Sequence, residues 1–347
     1  MKSINAVRGN LRTVDRDNIF EDVLDMYRTG EVLGECPIKI KYGDESAIDD
    51  GGVQRDMYSA FWEVAYSKMF EGVASLIPMV HPNIDMMIFP ILGRILSHSY
   101  LVTGYLPVRI VLPTLINMIM GPTKVTQKIL LDAFLDHISS VERVTFTNAL
   151  KCNVTRNKFP QDIQSTLLDV LSRFGCRQLP TPDNLLSIIE RVAEYEFLVK
   201  PAAAISLVNS GIPNSHKQFW MNNSITEIYN ELTVTSTKIL NMLMAPKEDI
   251  ISEQRVYGYL TSMIGNLSVD DLRALLRFIT GSSVCSATEI LVTFNQLSGL
   301  GRRPIAHTCD STLELSTLYM NYEDFYDEFR AILSNVNKEF SFRMDAL

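Results

Sequence analysis

Apolar positions recur at helical spacing over most of the chain. After Gly52, one face of the predicted helix carries Tyr58, Phe61, Trp62, Ala65 and Met69. This spacing is typical of an amphipathic helix with one buried face. The same period predicts helices at 19–26, 89–120 (interrupted by Pro90, Pro107 and Pro113), 130–138, 163–174, from Thr181-Pro182 to 192, 225–244, 256–267, 272–279 and after a cap at Asn321. Most of the chain is therefore predicted to be helical.

Strand patterns are fewer and shorter. Residues 38–42 alternate strictly, which predicts a half-buried strand with its lysines facing outward. Residues 290–294 and 313–315 also have strand character, so the last hundred residues combine helices and strands. The polar, proline-bearing run 246–249 is a candidate linker. We therefore predict an α+β protein with two lobes.

The predicted lobes differ in size and composition. A large, mostly helical N-terminal lobe covers residues 1–245, and a small mixed α/β C-terminal lobe covers residues 254–347. A hinge at 246–253 joins them.

Composition narrows the functional classes. The chain has 347 residues, 46% of them hydrophobic, which is enough for a large core. The net charge of −8 argues against nucleic acid as a partner, because phosphate binding needs a basic face. The five cysteines are scattered without a Cys-x-x-Cys pair, so neither a zinc site nor a disulfide framework is indicated. No glycine-rich phosphate loop occurs, and we expect no cofactor.

The same features bear on location. The first 17 residues are polar and do not resemble a signal peptide. No uncharged apolar run reaches the roughly 18 residues that a membrane-spanning helix needs. We therefore expect a protein of a reducing compartment, cytoplasmic or nuclear, without a membrane partner.

Cys309 is the candidate reactive residue. Arg302, Arg303 and His307 lie within seven positions of it, and positive neighbours favour the thiolate, whereas Asp310 opposes them. Two residues apart, His307 and Cys309 would face the same side of an extended segment. A lone cysteine is often a small core residue, but the polar neighbours on both sides would then need buried partners. We interpret Cys309 as a reactive thiol on a polar turn just before a short strand.

Three motifs in order resemble one family. Ala306-His307-Thr308-Cys309, followed by Leu313-Glu314-Leu315 and Tyr319, resembles the catalytic-cysteine loop of the HECT ubiquitin ligases. Residues 275–282 resemble the same family's Phe-x-Thr-Gly segment. Residues 49–56 resemble the Asp-x-Gly-Gly-Val-x-Arg-Glu signature of its large lobe. Together they span nearly the whole chain, and they are most similar to the small, divergent animal members.

The resemblance implies a ubiquitin-protein ligase. Cys309 would accept ubiquitin as a thioester from a ubiquitin-conjugating enzyme and pass it to a lysine of a protein substrate. A subdomain at about residues 130–196 would dock the conjugating enzyme. His307 would support Cys309 by a hydrogen bond near the thiol or by orienting the loop, and Thr308 would do so by shaping the turn or contacting the incoming carbonyl. The alternative for His307 is a solvated loop residue without such a role. The tail aromatic Phe342 would help the second transfer.

Some positions depart from the family pattern. Asp310 stands where an aromatic residue usually follows the cysteine, and Met344 stands where a phenylalanine is usual, with Phe342 two residues earlier. Uptake of ubiquitin is therefore better supported than transfer to lysine. A second hypothesis remains open, in which a weak or inactive HECT-like protein binds ubiquitin or a conjugating enzyme without transfer.

The chemistry of the residues favours thioester exchange over hydrolysis. A cysteine hydrolase needs a positioned histidine base, but no histidine follows Cys309, and His81, His98, His137 and His216 all precede the linker. Exchange of one thioester for another is nearly thermoneutral and needs only modest activation of the thiol. The acidic and glycine-rich run 49–56 lacks the ligand spacing of a calcium loop. We interpret it as a structural turn that starts a helix, with Arg55 paired to a carboxylate.

Overall fold

The structure is a computed structural model that describes residues 11–34, 38–43, 51–72, 75–123, 125–151, 158–244 and 250–338. These residues are mostly helical and include three small sheets, an α+β fold. The chain divides into two compact units. The first comprises residues 1–64, 98–106 and 229–347, and the second comprises residues 65–97 and 107–228.

The described residues contain eight short strands and fifteen α-helices. In order they are β1 (Leu11–Val14), α1 (Ile19–Arg28), β2 (Lys39–Tyr42), α2 (Gly52–Met69), β3 (Phe70–Glu71), β4 (Ile77–Pro78), α3 (Ile88–Thr103), α4 (Leu112–Met120), α5 (Gln127–His137), α6 (Ser140–Lys151), α7 (Gln161–Arg173), α8 (Leu185–Glu194), α9 (Ala202–Gly211), α10 (Asn214–Met221), α11 (Ile225–Leu232), α12 (Ser236–Met242), β5 (Leu243–Met244), α13 (Ile251–Asn266), α14 (Val269–Thr280), β6 (Ile290–Asn295), β7 (Ile305–His307), β8 (Thr312–Ser316) and α15 (Tyr322–Lys338). A π-helical turn, Tyr195–Val199, continues α8.

The first unit contains two of the sheets. Strands β1 and β2 pair in parallel. The other sheet has the order β5-β6-β8-β7, in which β5, β6 and β8 are parallel and β7 is antiparallel to β8. Helix α14 packs against β7 and β8 and against α15. The core between them is formed by Leu275, Ile279, Ile290, Val292, Leu313, Leu315, Phe325 and Phe329.

Helix α14 shows why the sequence forms these elements. The hydroxyl of Ser268 accepts the backbone N–H of Asp271 at 3.1 Å, which caps the helix. Its apolar stripe, including Leu272 and Leu275, is buried. Gly281 ends the helix in the left-handed conformation with φ 77°. The predicted cap and stop are both confirmed, and they fix where the chain leaves α14.

The second unit is helical apart from the small β3–β4 pair. Its core is built by α5 to α8 and the π-helical turn, with Phe134, Phe146, Leu167, Val170, Leu171, Ile188, Ile189 and Phe197 buried. The Thr114 hydroxyl donates to the carbonyl oxygen of Phe197 at 2.6 Å and so satisfies a backbone acceptor inside the turn. No described helix has the length and apolar character needed to cross a membrane.

Most of the predicted helices and strands are confirmed, and one helix start is wrong. Helix α8 begins at Leu185, not at Thr181-Pro182, because the Thr181 N–H donates to the side-chain oxygen of Asn184 at 2.7 Å and closes a turn. The stretch 225–244 contains two helices, and the Thr235 hydroxyl caps the second. Pro90 and Pro113 lie in the first turns of α3 and α4, where proline is tolerated, so they do not interrupt these helices.

The predicted lobes stay a prediction. The polar part of the predicted hinge, residues 246–249, lies outside the described residues. The compact units group residues 229–347 with the first 64 residues of the chain.

Candidate cysteine site

Cys309 lies at the tip of a β-hairpin. Strands β7 and β8 pair in antiparallel fashion, with His307 opposite Thr312, and residues 308–311 form the turn between them. Cys309 is exposed, whereas Cys176 and Cys285 are half-buried. The predicted polar turn before a strand is therefore present, with its thiol accessible to solvent.

The residue before the cysteine faces inward. Thr308 is buried against the start of α2, where a Cβ added to Gly52 would lie 2.4 Å from Thr308 Oγ1. The Thr308 hydroxyl is buried without a hydrogen-bond partner among the described residues. Of the two roles predicted for Thr308, this packing favours shaping the turn. Only glycine at position 52 allows so close an approach.

Arg55 joins the cysteine turn to the end of α14. Its guanidinium donates from Nε to the carbonyl oxygen of Thr280 at 2.7 Å and from Nη2 to the carbonyl oxygen of Thr308. The planar guanidinium presents several N–H groups in a fixed fork, which suits two separate acceptors. The structure shows these two backbone carbonyls as partners of Arg55, and the predicted pairing with a carboxylate stays a prediction.

The start of α2 and the end of α14 are in direct contact. A Cβ added to Gly281 would lie 2.6 Å from the carbonyl oxygen of Gly52. The Ser59 hydroxyl donates to the Gly281 carbonyl at 3.1 Å and accepts the Ser283 N–H at the same distance. The Thr-Gly segment is thus fastened to the first turns of α2.

A buried carboxylate anchors the same helix turn. Asp56 accepts from Arg277 and from Arg16, each at 2.7 Å, and it is almost completely buried. Burial alone would raise the pKa of Asp56, but the positive charges of Arg277 and Arg16 outweigh it and hold the pKa below the usual value. The Arg16 guanidinium also lies over the Tyr42 ring, 3.7 Å from its centre. Asp56 therefore ties α2 to α14 and to the segment before α1.

The three motifs that carry the family resemblance meet at this point. The described part of the first motif, residues 51–56, contacts both residues 280–283 and the cysteine turn. Asp49 and Asp50 lie outside the described residues. In the part of the chain that the structure describes, no group of three or more metal-binding side chains occurs. Sequence reasoning did not connect Gly52 and Arg55 with the cysteine turn, although the first motif contains both.

The basic neighbours of Cys309 are balanced by carboxylates. Arg302 forms hydrogen bonds to Asp324 at 2.6 and 2.8 Å and to Glu328 at 3.2 Å. Arg303 lies 3.9 Å from Glu328. The carboxylates of α15 therefore lie next to both arginines and oppose their positive charge.

His307 ends strand β7 and is exposed. Its Nε2 lies 3.7 Å from Glu314 Oε2, on the neighbouring strand. Because Cys309 belongs to the turn, strand alternation does not carry its side chain to the same face as His307. The third supporting candidate, Phe342, lies outside the described residues, as do Phe340 and Met344.

The proposed docking region, residues 130–196, lies in the second unit. Among its described residues, the exposed large hydrophobic side chains are those of Val141, Val144, Leu179, Leu186 and Tyr195. An open pocket of about 460 Å³ lies beside Tyr195, with Arg177 and Arg191 in its walls. The sequence did not decide whether such residues were core, and these are exposed.

No protein-family model matches this chain, and a comparison with curated proteins finds no match either.

Proposed function

We propose that this protein is a HECT-type ubiquitin-protein ligase in which Cys309 carries ubiquitin. The observation that carries the proposal is an exposed thiol at the tip of the β7–β8 turn. The residue before it, Thr308, is fixed by contacts with Arg55 and Gly52. Such a thiol can attack a thioester carried by a large protein partner, and its own thioester can be attacked by a substrate lysine. Both steps are favoured because the neighbouring backbone is fixed while the sulfur faces solvent.

The proposed reaction has two steps. The Cys309 sulfur attacks the thioester carbonyl that links ubiquitin to the conjugating enzyme. The new C–S bond forms as the old one breaks, and the thiol proton of Cys309 is in effect passed to the departing cysteine. A substrate lysine then attacks the Cys309 thioester, an isopeptide bond forms and the thiol is regenerated. By the resemblance, Phe342 acts in this second step.

The histidines support this chemistry over hydrolysis. His98 Nδ1 lies 2.8 Å from the Tyr27 hydroxyl, His137 Nδ1 lies 2.8 Å from Ser75 Oγ, and His216 Nδ1 lies 3.0 Å from Ser97 Oγ. Each ring is engaged at a place other than the cysteine turn. A cysteine hydrolase needs a histidine base beside the thiol, and these three rings are hydrogen-bonded to other side chains.

The conjugating enzyme is proposed to dock on residues 130–196. Val141 and Val144 are exposed and three positions apart on α6, so they lie on one face of that helix. Exposed apolar residues in neighbouring positions are typical of protein-binding surfaces.

The test is a charging assay with activating enzyme, conjugating enzyme, ATP and ubiquitin, read on a non-reducing gel. Wild type should form a thiol-sensitive adduct, Cys309→Ala should form none, and Cys309→Ser should form an adduct that resists thiol, because an oxygen ester replaces the thioester. Cys285→Ala is the matched control, since this half-buried thiol donates to the Thr233 carbonyl and burial raises its pKa. A thiol-sensitive adduct that persists in Cys309→Ala would overturn the assignment.

A second candidate function is a binding module without transfer. The observation in its favour is the pairing of Arg302 and Arg303 with carboxylates of α15, beside Asp310, which leaves the turn with little net positive charge. In that case the protein would bind ubiquitin or the charged conjugating enzyme, and wild type and Cys309→Ala would show the same binding and no adduct.

A further inference from the structure

We infer that Arg55 is a positioning residue that holds the turn of Cys309 in place. The effect of this role on catalysis rests on the proposed function. Its guanidinium holds the carbonyl of Thr308, the residue directly before the cysteine, and the carbonyl of Thr280 at the end of α14. Hydrogen bonds from a charged donor are stronger than neutral ones. One side chain therefore fixes the cysteine turn relative to a buried helix.

The turn needs such support because its own conformation is unfavourable. Ser311 adopts φ 57°, in the left-handed region that a non-glycine residue seldom occupies. Unfavourable backbone conformations of this kind persist only where surrounding contacts determine them. The cysteine turn consequently depends on contacts outside the hairpin.

Two further contacts complete the support. Thr308 packs on Gly52, so the inner side of the turn rests directly on the first turn of α2. That helix turn is itself anchored, because Asp56 is buried between Arg16 and Arg277. The backbone of Arg55 is thus fixed. Its hydrogen bond to the Thr308 carbonyl therefore also restricts the position of the next residue, Cys309.

This arrangement limits the positions that the thiol can take. Nucleophilic attack requires the reacting atoms in a narrow range of distance and angle, and an error of about 1 Å can cost roughly 100-fold in rate. Loss of Arg55 should leave Cys309 exposed but less well oriented. The expected effect is on the rate of charging, not on the affinity for the conjugating enzyme.

The first measurement does not depend on ubiquitin. A nitroxide spin label is attached to Cys309 in the full chain with its other four cysteines replaced by alanine, and its mobility is read from the electron paramagnetic resonance spectrum. Arg55→Ala should sharpen the spectrum, which reports a more mobile turn. Arg55→Lys keeps the charge but has one compact donor group that cannot span both carbonyls, so a smaller change in the same direction is expected.

Arg255→Ala is the matched control. The Arg255 guanidinium also donates to two backbone carbonyls, those of Thr317 at 3.1 Å and Tyr319 at 3.2 Å, but beyond the other end of strand β8. Its loss should lower the melting temperature without changing the mobility of the label at Cys309. An unchanged spectrum in both Arg55 variants would overturn the inference.

The second measurement is the charging rate at increasing concentrations of ubiquitin-loaded conjugating enzyme. Arg55→Ala should lower the maximal rate by at least about tenfold with the half-saturating concentration unchanged. Equal losses of charging and of melting temperature in Arg55→Ala and Arg255→Ala would make Arg55 merely structural and overturn its positioning role. A mobile label in Arg55→Ala, with no charging even in wild type, would support the positioning of Cys309 and refute only the proposed ligase function.

Discussion

Replacing Gly52 by alanine should destabilise the protein, although the residue lies in a helix. In most helices this change adds about 0.5–1 kcal/mol of stability, because glycine loses more backbone entropy on folding. Here the new Cβ would lie 2.4 Å from Thr308 Oγ1 and 3.1 Å from Thr308 Cβ. Contacts between non-bonded heavy atoms are optimal at about 3.5–4.0 Å, so the turn or the helix must move by about 1 Å.

The expected size of the loss follows from these two effects. Overpacking of a close contact costs about 1–3 kcal/mol, and the gain in helix propensity offsets part of it. We expect Gly52→Ala to lower the free energy of unfolding by about 1–2 kcal/mol. Gly258→Ala in α13 is the control, because no atom lies within 4 Å of the added Cβ, and it should raise stability by about 0.5–1 kcal/mol.

Thr308→Ala completes a double-mutant cycle. It removes Thr308 Oγ1, the atom with which the alanine side chain at position 52 would clash. Because this oxygen is buried without a hydrogen-bond partner among the described residues, Thr308→Ala alone should change the free energy of unfolding little. In the double variant the clash with Oγ1 is gone and the contact with Cβ remains. The two changes should therefore be non-additive, with a favourable coupling of at least about 0.5 kcal/mol.

The free energy of unfolding of wild type and of the four variants is measured by urea unfolding followed by far-ultraviolet circular dichroism. The slope with urea should stay constant, so that shifts of the midpoint report stability alone. The reasoning would be refuted if Gly52→Ala were as stable as Gly258→Ala. Additivity of the cycle within about 0.3 kcal/mol would refute the contact between Gly52 and Thr308 in particular.

Two further predictions concern charge and pH. Asp56→Asn leaves the buried Arg277 and the partly buried Arg16 without their carboxylate, and it should cost about 3–5 kcal/mol in urea unfolding. The control Asp270→Asn should cost less than about 1 kcal/mol, because in its pair with Arg273 the aspartate is largely exposed. Because the pKa of Asp56 is lower in the folded state, its ionised carboxylate stabilises the fold above the unfolded pKa of 3.8. This stabilisation is lost as the pH falls through the folded pKa. Asp56→Asn should therefore lose less stability in acid than wild type. Burial lowers the pKa of both His137 and His216 below 6.5. The contribution of the two neutral rings to the free energy of unfolding is therefore fully present above pH 6.5 and is lost as the pH falls through their folded-state pKa values. His137→Gln should reduce this loss between pH 7.5 and 5, and an unchanged slope of stability with pH would contradict it.

The helices could be predicted well because their signals are local. The Ser268 hydroxyl, Gly281 and the Asn321 side chain all lie where the pattern placed a cap or a stop, and each makes the expected contact. The start of α8 was wrong because Asn184 closes a competing turn with its side chain. Strand β7 could not be predicted, because three residues are too few to show the alternation of apolar and polar positions that marks a strand.

The candidate site could be predicted only in part, for a physical reason. The polar neighbours of Cys309 indicated an exposed turn, and the thiol is exposed. The role of Arg55 could not be predicted, because its partners are backbone carbonyls 225 and 253 positions away, and every residue carries such a group. Arg302 is the converse case, since it is close to Cys309 in sequence but is paired with Asp324 and Glu328 of α15.

The discontinuity of the first unit has a consequence for biosynthesis. Arg55 is made 253 residues before Thr308, and at roughly 5–20 residues per second this separation lasts about 13–50 s on the ribosome. During that time the N-terminal segment has emerged without the partners that residues 229–347 supply. Contacts between distant parts of a chain form slowly and leave apolar surface open to aggregation. The nascent chain therefore has a long period in which this part of the first unit is exposed to aggregation, and the support of Thr308 by Arg55 forms only at its end.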